Sequence, residues 1–213
     1  MRSARSPFFV APLALAAGLL TMRSAPPASA SASPAGAVLE NPSLGLQVVG
    51  PDRLRLTNKL SGKVYDVAAA PFELVLEDGG RSATVTAADF APRPGVRPSA
   101  DKLRIAYAGR GAWRGVGVEV EYVLPADAWF VRKSLTVVNA RPGPVTVRDA
   151  VVDSIMVPGL AFPEKIENPV LLDGQLFWGL EWPIADAALR DGRLVLAHHP
   201  AAEVPPGGRW TSK

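Results

Sequence analysis

Alternation of apolar and polar positions dominates this chain from about Val38 onward. In "VGVEVEYVL", Val116, Val118, Val120 and Tyr122 fall on one face, with Glu119 and Glu121 on the other. That period of two is the signature of a half-buried β-strand. "WFVRKSLTVVN" continues it, with Trp129, Val131, Leu135 and Val137 on one face and Arg132, Ser134 and Thr136 opposite. "VTVRDAVVDSIMV" repeats it over Val145, Val147, Val151 and Ile155. Shorter strands are predicted at "LGLQVVG", "RLRLTN", "FELVLED", "TVTAADF", "KLRIAYAG", "QLFWGLEW" and "RLVLAHH".

Turn chemistry separates these runs. Asp78-Gly79, Asp173-Gly174 and Asp191-Gly192 suit tight hairpins that need positive φ, and "NKLSGK" and "ARPGPV" mark two more turns. A single helical turn is expected at 184–189, "IADAAL". About ten strands joined by hairpins predict an all-β fold, an antiparallel sandwich of two stacked sheets. Near the C-terminus, "EVPPGGRWTSK" reads as a turn entering a strand that would be left as a stub.

The first thirty residues follow different rules. Arg2 and Arg5 precede an apolar run from Pro7 to Met22, and small residues follow in "APPASASAS". A basic start, a short apolar stretch and Ala-x-Ala sites make a secretory signal peptide, with cleavage expected after Ala30 or Ala32. Residues 1–30 are assigned to the signal, 31–37 to a flexible linker and 38–213 to the β domain. The protein is therefore expected in a periplasm or outside the cell, with no membrane association after cleavage.

This division changes the meaning of the charge. The chain has 23 basic and 20 acidic residues. Three of the basic ones, Arg2, Arg5 and Arg23, lie in the leader, so the remainder is balanced at 20 against 20. A neutral mature chain gives no electrostatic case for nucleic acid. The absence of Cys excludes disulfides and thiolate metal sites.

Candidate chemistry is sparse. The two histidines, His198 and His199, are adjacent, and neighbours on a strand point to opposite faces, so they do not chelate one metal. Asp149 and Asp153, four apart on the predicted strand, would share a face at roughly 13 Å. Glycosidase carboxylates stand about 5–9.5 Å apart, so the pair is expected to be structural, neutralised by Arg148 and Arg132. No nucleophile elbow, phosphate loop or dinucleotide fingerprint occurs. No catalytic residue, metal or cofactor is assigned.

One stretch stands apart. "GQLFWGLEWP" (174–183) holds two of the five Trp. As one strand, it sets Phe177, Gly179 and Glu181 on one face and Trp178, Leu180 and Trp182 on the other. Sugars stack their CH faces on aromatic rings and donate hydroxyl hydrogen bonds to carboxylates. Trp178, Glu181 and Trp182 are thus the candidate carbohydrate-binding residues. The competing assignment is that both indoles fill the space between sheets, with Glu181 at the rim.

The order of "LENPSLGLQVVGPDRLRLTNKLSGKVYDV", "FELVLEDG", "VEVEYVLPADAWFVRKSLTVVN", "VTVRDAVVDSIMV", "FWGLEWP" and "PPGGRW" resembles the N-terminal β-supersandwich of bacterial α-galactosidase-like glycoside hydrolases of the family 36 type. The resemblance spans about Leu39 to Lys213. It implies a galactose-mutarotase-like supersandwich, an α-galactoside or related glycan as ligand, and a catalytic barrel as partner. That barrel carries its nucleophile in Lys-x-Asp, a motif with no counterpart in this chain. By position, "FWGLEWP" corresponds to an aromatic loop lent to the substrate pocket. The alternatives are a stand-alone aldose mutarotase, using Glu181 with His198 or His199, and a sugar-binding module without an enzyme partner.

Overall fold

The computed structural model describes residues 35–93, 97–181 and 185–212. The signal peptide predicted for residues 1–30 lies outside them. The chain runs through β1 (Val38–Glu40), β2 (Leu44–Gly50), β3 (Arg53–Asn58), β4 (Lys63–Ala70), β5 (Glu73–Asp78) and β6 (Arg81–Thr86). A 3-10 turn then leads to β7 (Phe90–Pro92), β8 (Arg97–Pro98) and β9 (Lys102–Gly109). After a second 3-10 turn, Gly111–Trp113, come β10 (Val116–Val123), β11 (Arg132–Asn139) and the long β12 (Val145–Met156). The last six are β13 (Val170–Leu172), β14 (Leu176–Trp178), β15 (Asp186–Arg190), β16 (Arg193–His198), β17 (Ala202–Val204) and β18 (Arg209–Thr211).

These strands form two large antiparallel sheets and a separate ribbon. In the larger sheet the order is β1-β2-β3-β4-β12-β16-β15, with β5 and β17 also on β12 and β6 on β5. The smaller sheet runs β18-β11-β10-β9-β7, with β8 on β9, and β13 and β14 pair only with each other. Inward positions of both sheets merge into one core, from Leu74, Leu76, Val145 and Val147 of the larger to Leu103, Val118, Leu135 and Val137 of the smaller. The all-β, antiparallel two-sheet reading therefore holds, because alternating side chains leave one apolar face per sheet to be covered.

Several local expectations are corrected. Residues 186–189, expected within a helical turn, lie in strand β15, because the Asp191–Gly192 turn folds it back onto β16 from Asp186↔Ala197 to Arg190↔Arg193. Ladder hydrogen bonds override the helix preference of Ala and Leu; position 184 lies outside the described residues. In the β5–β6 hairpin Asp78 pairs with Arg81, so the two central turn residues are Gly79 and Gly80, at φ 55° and 82°, one step beyond the predicted Asp-Gly pair. The "EVPPGGRWTSK" segment is not a stub: β17 joins β12 and β18 joins β11, at Val137↔Trp210. Of the expected linker, Gly36 and Ala37 are hydrogen-bonded to the backbone of Val48.

Candidate functional site

Strand β12 shapes the region of interest through two breaks in its register. Pairing with β5 shifts between Val147 and Asp149, and pairing with β16 shifts between Val151 and Asp153. Bulges of this kind insert a residue and re-aim those that follow. Four successive residues, Ala150 to Asp153, are consequently buried. Along the same edge β12 changes partner from β5 (Val151↔Glu73) to β4 (Ser154↔Ala70). The Pro71-Phe72 corner between those two strands leaves the Ala70 carbonyl available.

Asp153 sits at this junction. One carboxylate oxygen accepts a hydrogen bond from Lys133 Nζ at 2.8 Å, and the other accepts from Trp178 Nε1 at 2.8 Å. Lys133 Nζ also donates to the Ala70 carbonyl at 3.4 Å. The two charged side chains are only 6% and 11% exposed. Such a pair is tolerable only with its remaining hydrogen-bonding capacity satisfied, and here both carboxylate oxygens are used. Nearby, burial and then the Asp153 charge push the Tyr122 phenol far above its ordinary range. Burial likewise pushes Tyr107 up to about 12.

The expected Asp149/Asp153 pair is thus dismantled. The bulge separates them, so Asp153 turns into the core and Asp149 stays at the surface with His199. Neither arginine forms its ion pair with them. Arg148 bonds Glu77 at 2.6 Å, and Arg132 bonds Glu181 at 3.0 and 3.2 Å.

The β13–β14 ribbon is pinned by Trp178 on its inner side and by Asn168 at its base. Asn168 donates to the Leu180 carbonyl at 2.9 Å and accepts from Leu180 N at 2.8 Å. Gly179 makes this approach possible, since a Cβ there would come within 2.8 Å of both Asn168 Oδ1 and Pro169 Cβ. The strand ends at Trp178 rather than continuing to Trp182, because Asn168 takes over the backbone groups of Leu180. Phe177, pointing opposite to Trp178, is exposed and meets Trp129 at 5.5 Å between ring centroids and 66° between planes.

Trp129 does not lie on the core face of β11. The strand begins three residues later, and Trp129 is 63% exposed in the β10–β11 loop. That loop is held from beneath by Asn41, a buried residue whose amide donates to the carbonyls of Pro125 at 2.8 Å and Ala128 at 2.7 Å. Its oxygen accepts from the backbone of Ser43 and Leu44. Beside Trp129 lies Phe130 at 5.9 Å, with the Arg132 guanidinium over the Phe130 ring at 4.8 Å. The same guanidinium holds Glu181. A ledge of three aromatic rings with a cation and a carboxylate at its rim results.

Of the three residues chosen from sequence, Glu181 is on this rim and exposed. Trp178 is turned inward and tied to Asp153. Trp182 lies outside the described residues. Trp129, Phe130 and Arg132 were not chosen as site residues because strand alternation assigned their segment by parity alone, although "PADAW" carried a proline turn signal that breaks that parity. Asn41, in "ENPSL", was likewise detectable only as a turn residue.

The histidines have separate surroundings. His199 bridges Asp149 at 2.5 Å and Asp186 at 3.0 Å, and the hydrogen bonds of Asp186 and then Asp149 raise its pKa. His198 is buried, stacked on Trp210 at 5.5 Å, and burial lowers its pKa. Glu181, held by Arg132, is not joined with either into the acid–base pair a mutarotase needs. Among the described residues, no group of three or more His, Asp and Glu is placed to hold a metal. Neither a scan of the sequence against protein-family models nor a search of curated proteins returned a match.

Proposed function

We propose that this chain is an exported, non-catalytic, carbohydrate-associated β-sandwich. The order and spacing of its sequence segments resemble those of the N-terminal supersandwich of α-galactosidase-like hydrolases of the family 36 type. The observation that carries the reading is the ledge of Trp129, Phe130 and Phe177 beside the Arg132–Glu181 pair. Trp129 and Phe177 are exposed and in contact, with half-buried Phe130 beside them, and contiguous apolar patches of this kind mark binding surfaces. Here they stand next to a carboxylate and a guanidinium suited to sugar hydroxyls. The ligand class is an α-galactoside or related glycan, and the partner is a catalytic barrel carrying the Lys-x-Asp motif that this sequence lacks. Residues 1–30 act as the export signal.

Tryptophan emission tests the ledge directly. Titration with an α-galactoside should shift or quench it, and Trp129→Ala should abolish the response while leaving the circular dichroism spectrum intact. Emission unchanged by every α-galactoside tried would overturn the binding role. Export is checked separately: the secreted protein should begin at Ser31 or Ser33, read by mass spectrometry.

A further inference from the structure

A concave feature lies among three of the turns between strands. A cleft of about 400 Å³ opens between the β5–β6 turn and the 3-10 turn at Gly111–Trp113, lined by Asp78, Gly79, Arg81, Ala112, Trp113 and Arg141. Its base is the Arg141 side chain, reaching in from the β11–β12 turn. One guanidinium nitrogen contacts Asp78 at 2.6 Å and another donates to the Ala112 carbonyl at 2.8 Å. The stem passes over Gly115, where a Cβ would come within 2.9 Å of Arg141 Cγ. Its backbone N–H is held by the oxygen of the fully buried Asn139. Three loops thus fix this guanidinium before any ligand arrives.

The other cation of the cleft is different. Arg81 lines the wall and makes no ion pair among the described residues. The lining therefore holds two guanidinium groups, Arg81 and Arg141. Against them the lining offers one carboxylate, Asp78, already engaged by Arg141. Gly79 and Gly80 contribute a lip without side chains. A fixed guanidinium opposite an unpaired one, in a space large enough for a monosaccharide, suits an oxyanion. Guanidinium groups bind such oxygens through paired, charge-assisted hydrogen bonds.

We propose that this cleft binds an oxyanion-bearing ligand, through Arg81 and Arg141, independently of the aromatic ledge. The oxyanion is the carboxylate of a sugar acid or a free inorganic anion. Calorimetric titration of the purified chain with galacturonate, sodium sulfate and neutral galactose separates these sources. Galacturonate should bind and galactose should give no signal at this site. Arg81→Ala should weaken binding about tenfold. Raising salt from about 20 mM to about 500 mM should weaken it further, since the Debye length contracts. Sulfate binding with the same dependence on Arg81 sustains the site and assigns it to free anions. No heat from either anion, or heat unaffected by Arg81→Ala, overturns it. Arg81 makes no ion pair, so its removal leaves the fold intact, checked by the melting temperature.

Discussion

The side-chain amide of Asn41 reaches carbonyls 84 and 87 residues further along the chain. It satisfies backbone groups on both sides that would otherwise be buried without partners. Asn41→Ala should therefore cost about 2–3 kcal/mol in urea denaturation and mobilise Trp129, visible as red-shifted emission. The Lys133–Asp153 pair makes a sharper case. Lys133→Met leaves a buried carboxylate with only the Trp178 N–H, and should destabilise by about 3–5 kcal/mol. The double variant Lys133→Met/Asp153→Leu should lose less than the sum of the single changes, and additive losses would show that the ions are not coupled. Neither feature was legible in sequence, for one reason. The bonds from Asn41 to Pro125 and Ala128 and from Lys133 to Asp153 span at least 20 residues, whereas alternation reports only which face a residue occupies. Lys133 sits on the same face as Leu135 and Val137, and parity alone offers no reason for a cation there.

At the level of elements, alternating runs such as "LGLQVVG", "RLRLTN" and "KLRIAYAG" were readable as strands, and the three-residue strands were not. β10 and β11 match the pattern from Val116↔Asn139 to Val123↔Arg132, because eight paired residues give the period room to repeat. β14 has three residues, too few to fix its ends, and the Asn168 bonds that terminate it come from another segment. β15 is an edge strand at the end of its sheet, and its hold on the sheet includes a side-chain clasp. His199, just past β16, joins Asp186 of β15 to Asp149 of β12. Its pKa is raised in the fold, so the contribution is complete below the ordinary value of 6.5 and fades as pH rises through the elevated one. His198 acts in the opposite sense: its pKa is depressed by burial, so the fold loses stability as pH falls below 6.5. The melting temperature of the unaltered protein minus that of His199→Gln should therefore shrink between pH 6 and pH 9. A difference constant with pH would rule out the clasp. The test compares variants because the two imidazoles offset each other in the unaltered chain.

For the molecule as a whole, the two sheets are joined by aromatic contacts as well as aliphatic ones. Phe72, at the entrance to β5, meets Phe90 of β7 at 5.4 Å and Tyr107 of β9 at 5.3 Å, both edge to face. Phe72→Ala should cost about 3–5 kcal/mol and lower both sheets together, in one calorimetric transition. Two transitions would mean that the sheets are separate cooperative units. The sandwich as a class was legible because each sheet must hide one face. Its topology was not, since partner exchange along β12 depends on bulges that alternation does not register. β12 is flanked by β17 and β16 on one edge and by β5 and β4 on the other, so β5, β6 and β17 reach the larger sheet only by way of it. Cutting the peptide bond within the β11–β12 turn would part β4 and β5 from β12, and β18 from β11. Separately the two fragments should stay unstructured, and on mixing they should regain the β-sheet signal as a non-covalent heterodimer.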